Sequence, residues 1–272
     1  MVATPIGNAR DITLRTLDIL RDADVLAAED TRSLRRLLEI HGVPLGERPL
    51  IAYHDHNGAR ARPRLLAALE AGQSVAYASE AGTPMISDPG FDLMRAAQEA
   101  GYPTTSAPGA SAVVTALTLA GLPTDRFLFA GFLPNASGAR KKALGELGPL
   151  PATLVFYESP KRLGAMLSDA AQVMGDARDA AVCRELTKKF EEVRRGTLAE
   201  LAAFYGETQA KGEIVVLISK GEAPVVSETV IEDAIKEALE TMSVRDAADS
   251  VSARLGVKRR PVYQLAMQMA KA

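Results

Sequence analysis

Five short apolar runs in this chain end in compact polar signatures whose residue types can bind and react. The runs around Val25–Ala28, Leu50–Tyr53, Val75–Ala78, Leu154–Tyr157 and Ala180–Cys183 read as buried strands. They are followed by Glu29-Asp30-Thr31-Arg32, His54-Asp55-His56-Asn57, Ser79-Glu80-Ala81-Gly82-Thr83-Pro84, Glu158-Ser159-Pro160-Lys161-Arg162 and Arg184-Glu185-Leu186-Thr187-Lys188. In an open sheet covered by helices, ligands bind beyond the carboxyl ends of the strands. Polar residues gathered at that edge predict an enzyme. Three loops suit a ligand held by main chain. Ala3-Thr4-Pro5-Ile6-Gly7-Asn8 precedes a helix whose free amino end offers N–H groups. In Glu80-Ala81-Gly82-Thr83-Pro84, Gly82 permits close backbone approach, Thr83 brings a hydroxyl and Pro84 fixes the turn. Asp88-Pro89-Gly90 then reads as the cap of the next helix, and Pro108-Gly109-Ala110-Ser111-Ala112 repeats the logic at another strand end. None of these is a G-x-G-x-x-G fingerprint, and no Walker lysine motif occurs.

The elements that position these loops alternate apolar runs with amphipathic stretches, which predicts an α/β fold with a largely parallel sheet. Leu14, Leu17 and Leu20 recur at helical spacing behind Asp11 and Thr13 as caps. Further helices are expected near residues 31–41, 58–71, 89–101 and 110–120. Gly121-Leu122-Pro123-Thr124-Asp125 reads as a linker. A second strand series follows, at Phe127–Phe132, Leu154–Tyr157, Ala180–Cys183, Phe190–Arg195 and Ile214–Ser219. The expected layout is an N-terminal α/β domain (1–121), a C-terminal α/β domain (122–220) and a helical tail (221–272). A cleft between the two α/β domains is a common place for a small ligand. In the tail, a helix from Ser243, a turn at Gly256 and a helix from Lys258 to Met269 outline a helix-turn-helix. A plain helical appendage fits the same pattern.

Composition narrows the class. With 47% apolar and 24% charged residues over 272 positions, the chain is ordinary globular protein. Its one cysteine, Cys183, excludes an intramolecular disulfide and suits a reducing interior. The start lacks the basic head and apolar core of a signal peptide. The uncharged stretch from Ala107 to Thr124 is broken by Pro108, Gly109 and Pro123 and falls short of a membrane span. A soluble, cytoplasmic protein is expected. Net charge of −2 argues against a general nucleic-acid binder. Basic residues nonetheless cluster at Arg32, Arg35 and Arg36; Arg60, Arg62 and Arg64; Arg140, Lys141 and Lys142; Lys188, Lys189, Arg194 and Arg195; and Lys258, Arg259 and Arg260. Each alone reads as a solvated helix face. Several around one crevice would favour a phosphate backbone, which rewards local charge.

The ordered segments VATPIGNARDIT, AAEDTR, YHDHN, SEAGTPMISDPG, PGASA, LPTDRFLFAGFLP, TLVFYESPKR and CRELTKKFEEVRRG resemble the tetrapyrrole methylase superfamily. Within it, the likeness is to the branch that methylates small-subunit ribosomal RNA. It covers about residues 1–220, with a looser match in the tail. The resemblance implies transfer of a methyl group from S-adenosylmethionine to the ribose 2′-hydroxyl of a cytidine in the decoding region of that RNA. It also implies a homodimer, the small ribosomal subunit as partner, and a cofactor cleft between the two α/β domains. Carried over by position, the cofactor residues are Thr4 and Pro5, then Gly82, Thr83 and Pro84, then Ser111 and Ala112, with Tyr157, Glu213 and Ile214 closing from the second domain. For these last three, plain sheet packing is the competing reading. Two departures stand out. Glu80 replaces the family's usual aspartate, and only Met1 and Val2 precede the Ala-Thr-Pro motif, where relatives carry a longer apolar strand. A late start assignment or a truncated chain is expected.

Methyl transfer to a sugar hydroxyl needs alignment and a proton acceptor, best with a pKa near neutrality. His54 and His56, two of the chain's three histidines, are the candidates, with Asp30 or Glu29 as alternative base or as orienting acceptor. The same histidines also read as a metal pair or as structural residues, and sulfonium chemistry asks for no metal. Asp30 also suits a helix cap. Arg32, Arg184 and Lys188 suit phosphate, and Asn57 a base edge or sugar. Two alternatives stay open: a tetrapyrrole methyltransferase of the same superfamily, and a non-catalytic RNA-binding assembly factor.

Overall fold

Continuous apolar runs become strands where both faces of the strand are covered, and Val25–Ala28 and Ile214–Ile218 are buried along their whole length. The computed structural model describes residues 1–86, 90–221 and 227–270. In chain order the elements are α1 (Leu14–Asp22), β1 (Val25–Ala28), α2 (Thr31–Ile40), β2 (Leu50–Ala52), α3 (Gly58–Glu70), β3 (Val75–Ala78), α4 (Phe91–Glu99) and α5 (Ala112–Ala120). Then come β4 (Phe127–Phe132), α6 (Ser137–Leu147), β5 (Thr153–Glu158), α7 (Leu163–Met174), β6 (Asp179–Arg184), β7 (Glu192–Thr197), α8 (Leu198–Glu207) and β8 (Ile214–Ile218). Three helices follow: α9 (Glu228–Leu239), α10 (Val244–Leu255) and α11 (Arg259–Met269). Thr13 caps α1 as expected, its side chain accepting from the Thr16 N–H. The expected cap at Asp88-Pro89 lies outside the described residues. By packing, the chain forms two compact units, residues 1–148 with 152–219, and residues 149–151 with 220–272.

The first unit holds both sheets. Strands β2, β1 and β3 form a parallel sheet in that order, with Leu26 opposite Leu50 on one side and Ala76 on the other. Leu20, Leu34 and Leu38 cover one face, and Leu65, Tyr77 and Leu93 belong to the other core. The second sheet runs β4-β5-β8-β6-β7 and corrects the expectation of largely parallel pairing. Only β4 and β5 are parallel; β8 inserts antiparallel between β5 and β6, and β7 returns antiparallel from β6. A short connection such as that from β6 to β7 permits only an antiparallel return, because parallel neighbours need a long crossover. One edge of this sheet therefore gathers the carboxyl ends of β5 and β6 with the amino ends of β7 and β8. There Glu158 and Arg184 both sit opposite Ile214, and Arg184 opposite Glu192.

Leu154, Phe156, Met166, Leu167 and Leu201 fill one face of the second sheet, each such side chain stabilising the fold by about 1.5–3 kcal/mol. Helix α5 covers the other face, bringing Val113, Ala116 and Leu117 against Val155, Val215 and Leu217. It precedes the linker, yet it packs on the later sheet. Its sequence, AVVTALTLA, is apolar apart from two threonines, and it buries Val113, Ala116, Leu117 and Ala120 while Val114 and Thr118 face solvent. Cys183 is buried here, and burial pushes its thiol up to about 11, so it is no nucleophile.

In the second unit, α9, α10 and α11 close on Ile235, Ala247, Ala248, Val251, Val262 and Ala266. Ser243 caps α10, Gly256 ends it in the left-handed conformation, and α11 starts after Lys258. Two of its basic residues have acidic partners: Arg254 pairs with Glu237 at 3.2 Å, and Arg259 pairs with Asp249. Among the described residues, no helix is long and apolar enough to cross a membrane.

Candidate functional site

The three loops are tied to one another by main chain before any ligand is considered. Met1 to Ala3 thread between β3 and the segment at Ala107: the Val2 N–H donates to the Tyr77 carbonyl at 2.9 Å, and the Ala107 N–H to that of Met1 at 2.9 Å. Thr4 and Gly82 then exchange N–H···O bonds of 2.9 and 3.1 Å. Gly82 has φ +81°, and a Cβ there would meet Ile6 Cγ2 at 3.2 Å. The Thr83 hydroxyl donates to the Ala110 carbonyl at 3.0 Å, joining the second loop to the third. Ser79 Oγ donates to the Gly82 carbonyl at 2.7 Å, and Thr4 Oγ1 to that of Ser79 at 3.3 Å. The hydroxyls that sequence assigns to a ligand thus hold the cradle together.

Beside this cradle lies a narrow cavity of about 200 Å³. Gly82, Thr83, Ser111 and Ala112 line it from the loops, and Tyr157, Glu213 and Ile214 from the second sheet's edge. Sequence reasoning missed Ile6, Phe132 and Leu186, which line it as well, beside Ala81, Ile86, Glu158 and Val215. Phe132 arrives through a register shift in β4 and meets Tyr157 edge-on, with ring centroids 5.7 Å apart. The amino end of α5 opens here without a side-chain cap, since Ser111 makes none. Apolar walls with a few fixed polar groups suit an adenosine-like ligand. The uncapped N–H groups suit a carboxylate. The residues present therefore fit S-adenosylmethionine. Thr4 and Pro5 line a different space, and Pro84 is buried outside both cavities.

That second space is a wide, open cavity of about 770 Å³. Ile6, Ala81 and Glu213 belong to both walls, so the two cavities share a seam. Thr4, Pro5, Glu29, Asp30, Arg32 and Lys188 reach the wide cavity. Asp30 caps α2, accepting from the N–H groups of Arg32 and Ser33. The Arg32 side chain bonds it at 2.9 Å, and these bonds draw its pKa down to about 2. His54 and His56 line neither cavity; their rings stand edge-to-face, 6.0 Å apart. The Asn57 amide is taken up by the loop itself, accepting from the His54 N–H at 2.9 Å and donating to the Ala52 carbonyl at 3.0 Å. Arg184 is paired with Glu192 at 2.8 Å. Of the four acid–base candidates, Asp30 and Glu29 reach a cavity wall and the two histidines do not. Among the described residues, no three His, Cys, Asp or Glu side chains gather to hold a metal.

The bend from Glu185 to Lys188 separates the two cavities, and no sequence signal marked its shape. Glu185 (φ 51°) and Thr187 (φ 64°) are left-handed without being glycine, which costs energy. Leu186 faces the narrow cavity and Lys188 the wide one. Thr187 Oγ1 accepts from the Asn8 N–H at 3.0 Å, and Gly7 leaves no room: a Cβ there would stand 2.5 Å from Lys188 Cγ. Lys188 Nζ bonds Glu213 at 2.8 Å and Glu185 at 3.0 Å. Partial burial works against its charge, but the two carboxylates outweigh it and raise its pKa.

Known proteins share this architecture. A uroporphyrin-III C-methyltransferase from Thermus thermophilus superposes with a TM-score of 0.57, 24% identity, and cover of 80% of this chain and 92% of its own. A second structure of a uroporphyrin-III C-methyltransferase from Thermus thermophilus, complexed with S-adenosylhomocysteine, gives 0.56 at 16% identity, covering 80% and 95%. Both likenesses speak to fold. The tetrapyrrole (corrin/porphyrin) methylase family matches residues 1–202, and the RsmI C-terminal HTH domain matches residues 226–270. The protein named ribosomal RNA small subunit methyltransferase I from Mesorhizobium japonicum is 45% identical over 270 residues, 99% of this chain and 91% of its own. Its namesakes from Pseudomonas aeruginosa and Escherichia coli O157:H7 are 42% and 40% identical, each over 98% of this chain and 96% and 94% of their own. The chain belongs to the tetrapyrrole methylases and, among them, to the ribosomal RNA small subunit methyltransferase I family.

Proposed function

We propose that this protein transfers a methyl group from S-adenosylmethionine to the ribose 2′-hydroxyl of a cytidine in the decoding region of small-subunit ribosomal RNA. The observation that carries the reading is the seam, where a narrow, largely apolar cavity and a wide, open, ionic one share Ile6, Ala81 and Glu213. Near full-length likeness to chains named for small-subunit ribosomal RNA supports the substrate, and the neighbour holding S-adenosylhomocysteine supports the cofactor.

The cofactor, when bound, supplies an electrophilic methyl on a sulfonium. Gly82, Thr83, Ser111 and Ala112 would hold it by main chain and by the amino end of α5, with Tyr157, Ile214 and Leu186 against its flat apolar parts. The wide cavity takes the sugar. Arg32, whose side chain is 90% exposed, and Arg36 are free to swing onto flanking phosphates, because exposed ion pairs exchange at little cost. Fixing hydroxyl and donor in line supplies a large part of the acceleration. The working form we propose is a homodimer of two α/β halves meeting near residue 122, acting in the cytoplasm on the small subunit. Mapping ribose methylation on ribosomal RNA from cells with and without the protein tests this. One cytidine should lose its mark; an unchanged map ends the proposal.

A further inference from the structure

We infer that Glu29 is the group that takes the proton from the substrate hydroxyl. The inference rests on the function just proposed, and it deepens it by naming the acceptor. Four carboxylates reach the wide cavity: Glu29, Asp30, Glu80 and Glu213. Three are otherwise engaged or unfixed. Asp30 is held by the α2 cap and by Arg32, with bonds of 2.7 and 2.9 Å. Glu213 is bonded to Lys188 at 2.8 Å. The Glu80 side chain is exposed, and its charge acts on Arg32.

Glu29 differs from all three. It is half-buried at the carboxyl end of β1, with its own N–H bonded to the Ala78 carbonyl at 3.2 Å. Its Oε2 accepts from the Glu80 main-chain N–H at 3.1 Å, while Oε1 has no partner among the described residues. Glu80 immediately precedes Ala81, a seam residue. One oxygen is thus pinned beside the place where the two cavities meet, and the other is open to accept. An ionised carboxylate is acceptor only, which suits it to bond a hydroxyl and align its lone pair. As the hydroxyl oxygen forms its bond to the methyl carbon, the carbon–sulfur pair returns to sulfur. The hydroxyl proton passes to Glu29 Oε1 and from there to water, leaving a neutral thioether and a methyl ether.

Glu29→Gln is the test, because an amide oxygen can still accept from Glu80. The reading requires near-wild-type melting, donor binding by calorimetry and RNA binding by filter retention, each within about twofold, while the single-turnover rate falls by about 10²–10⁴. Glu29→Ala should lose the same rate and bind donor somewhat more weakly, since the Glu80 N–H loses its acceptor. Full turnover by Glu29→Gln overturns the assignment, as does a rate loss matched by an equal loss of RNA affinity. Wild-type protein that methylates no ribose instead overturns the functional reading itself, and the role of Glu29 with it.

Discussion

Two ion-pair clusters in the first unit each set a cation against carboxylate, and they do opposite things. Between α6 and α7, Arg140 bonds Asp169 at 2.7 Å, with side chains only 5% and 11% exposed. Ser137 donates to Asp169 at 3.0 Å and Arg140 to the Asn135 carbonyl at 3.0 Å, so the buried polar atoms are satisfied. Burial pushes the Asp169 carboxyl up, but the bonds from Arg140 and Ser137 more than offset it and hold its pKa below the usual range. At the seam, Lys188 joins Glu185 and Glu213, yet the Glu213 side chain is 73% exposed and the backbone beneath is left-handed at Glu185 and Thr187. Water access separates the two. A dry, saturated pair fastens helices together, whereas a wet pair on a strained bend can shift when ligands arrive.

The sharpest way to break this contrast is to remove one cation from each cluster. Arg140→Ala takes the buried cation from Asp169, leaving it Ser137 and the more distant Lys141 at 3.5 Å, and should cost about 3 kcal/mol in urea unfolding, with donor affinity unchanged in the folded fraction. Lys188→Met should cost only about 1 kcal/mol, because Glu213 is exposed to water and half-buried Glu185 keeps the Glu213 N–H as a donor. Its effect should appear instead as donor binding weakened by about fivefold in calorimetry, as the wall between the cavities loosens. Since two carboxylates already balance Lys188, the salt dependence of RNA binding should stay the same, whereas loss of Arg32 should reduce the salt slope by about 1. Equal stability losses in the two cation variants would abolish the distinction.

How much of this could be read beforehand depends on what each residue must satisfy. Strands buried on both faces need unbroken apolar runs, so β1 and β3 fall where their sequences place them. The direction of β8 could not be read, because IVVLI is equally well buried running either way. α5 shows the same limit: its composition says buried, but not against which sheet. The cradle loops were legible through glycine and proline, whose backbone demands are local. Ile6, Phe132 and Leu186 were not, because an apolar cavity wall is written in the same letters as a core. The histidines drew attention by their rarity, yet β2 lies at the outer edge of its sheet, and the loop after it reaches neither cavity. Sheet order decides which strand ends face the seam, and order is a non-local property.

Asp30 offers the mildest test, a charge that neither fastens helices nor bridges the cavities. Its side-chain bond to Arg32, with the N–H groups of Arg32 and Ser33, draws its carboxyl from an ordinary 3.8 to about 2. A folded-state pKa below the unfolded one means that the unfolded chain binds the proton more readily. The stability this contributes is therefore complete above pH 4 and fades as the pH falls towards 2. Asp30→Ala should lower the melting temperature by a few degrees at pH 7, through loss of both the charge and the cap. At pH 3 the charge part of the gap between variant and wild type should have fallen to about half, and only below pH 2 does what persists report the neutral cap alone. A gap that held constant from pH 7 to 3 would mean that Arg32 does not dwell on Asp30, and that its guanidinium stands over the wide cavity ready for phosphate.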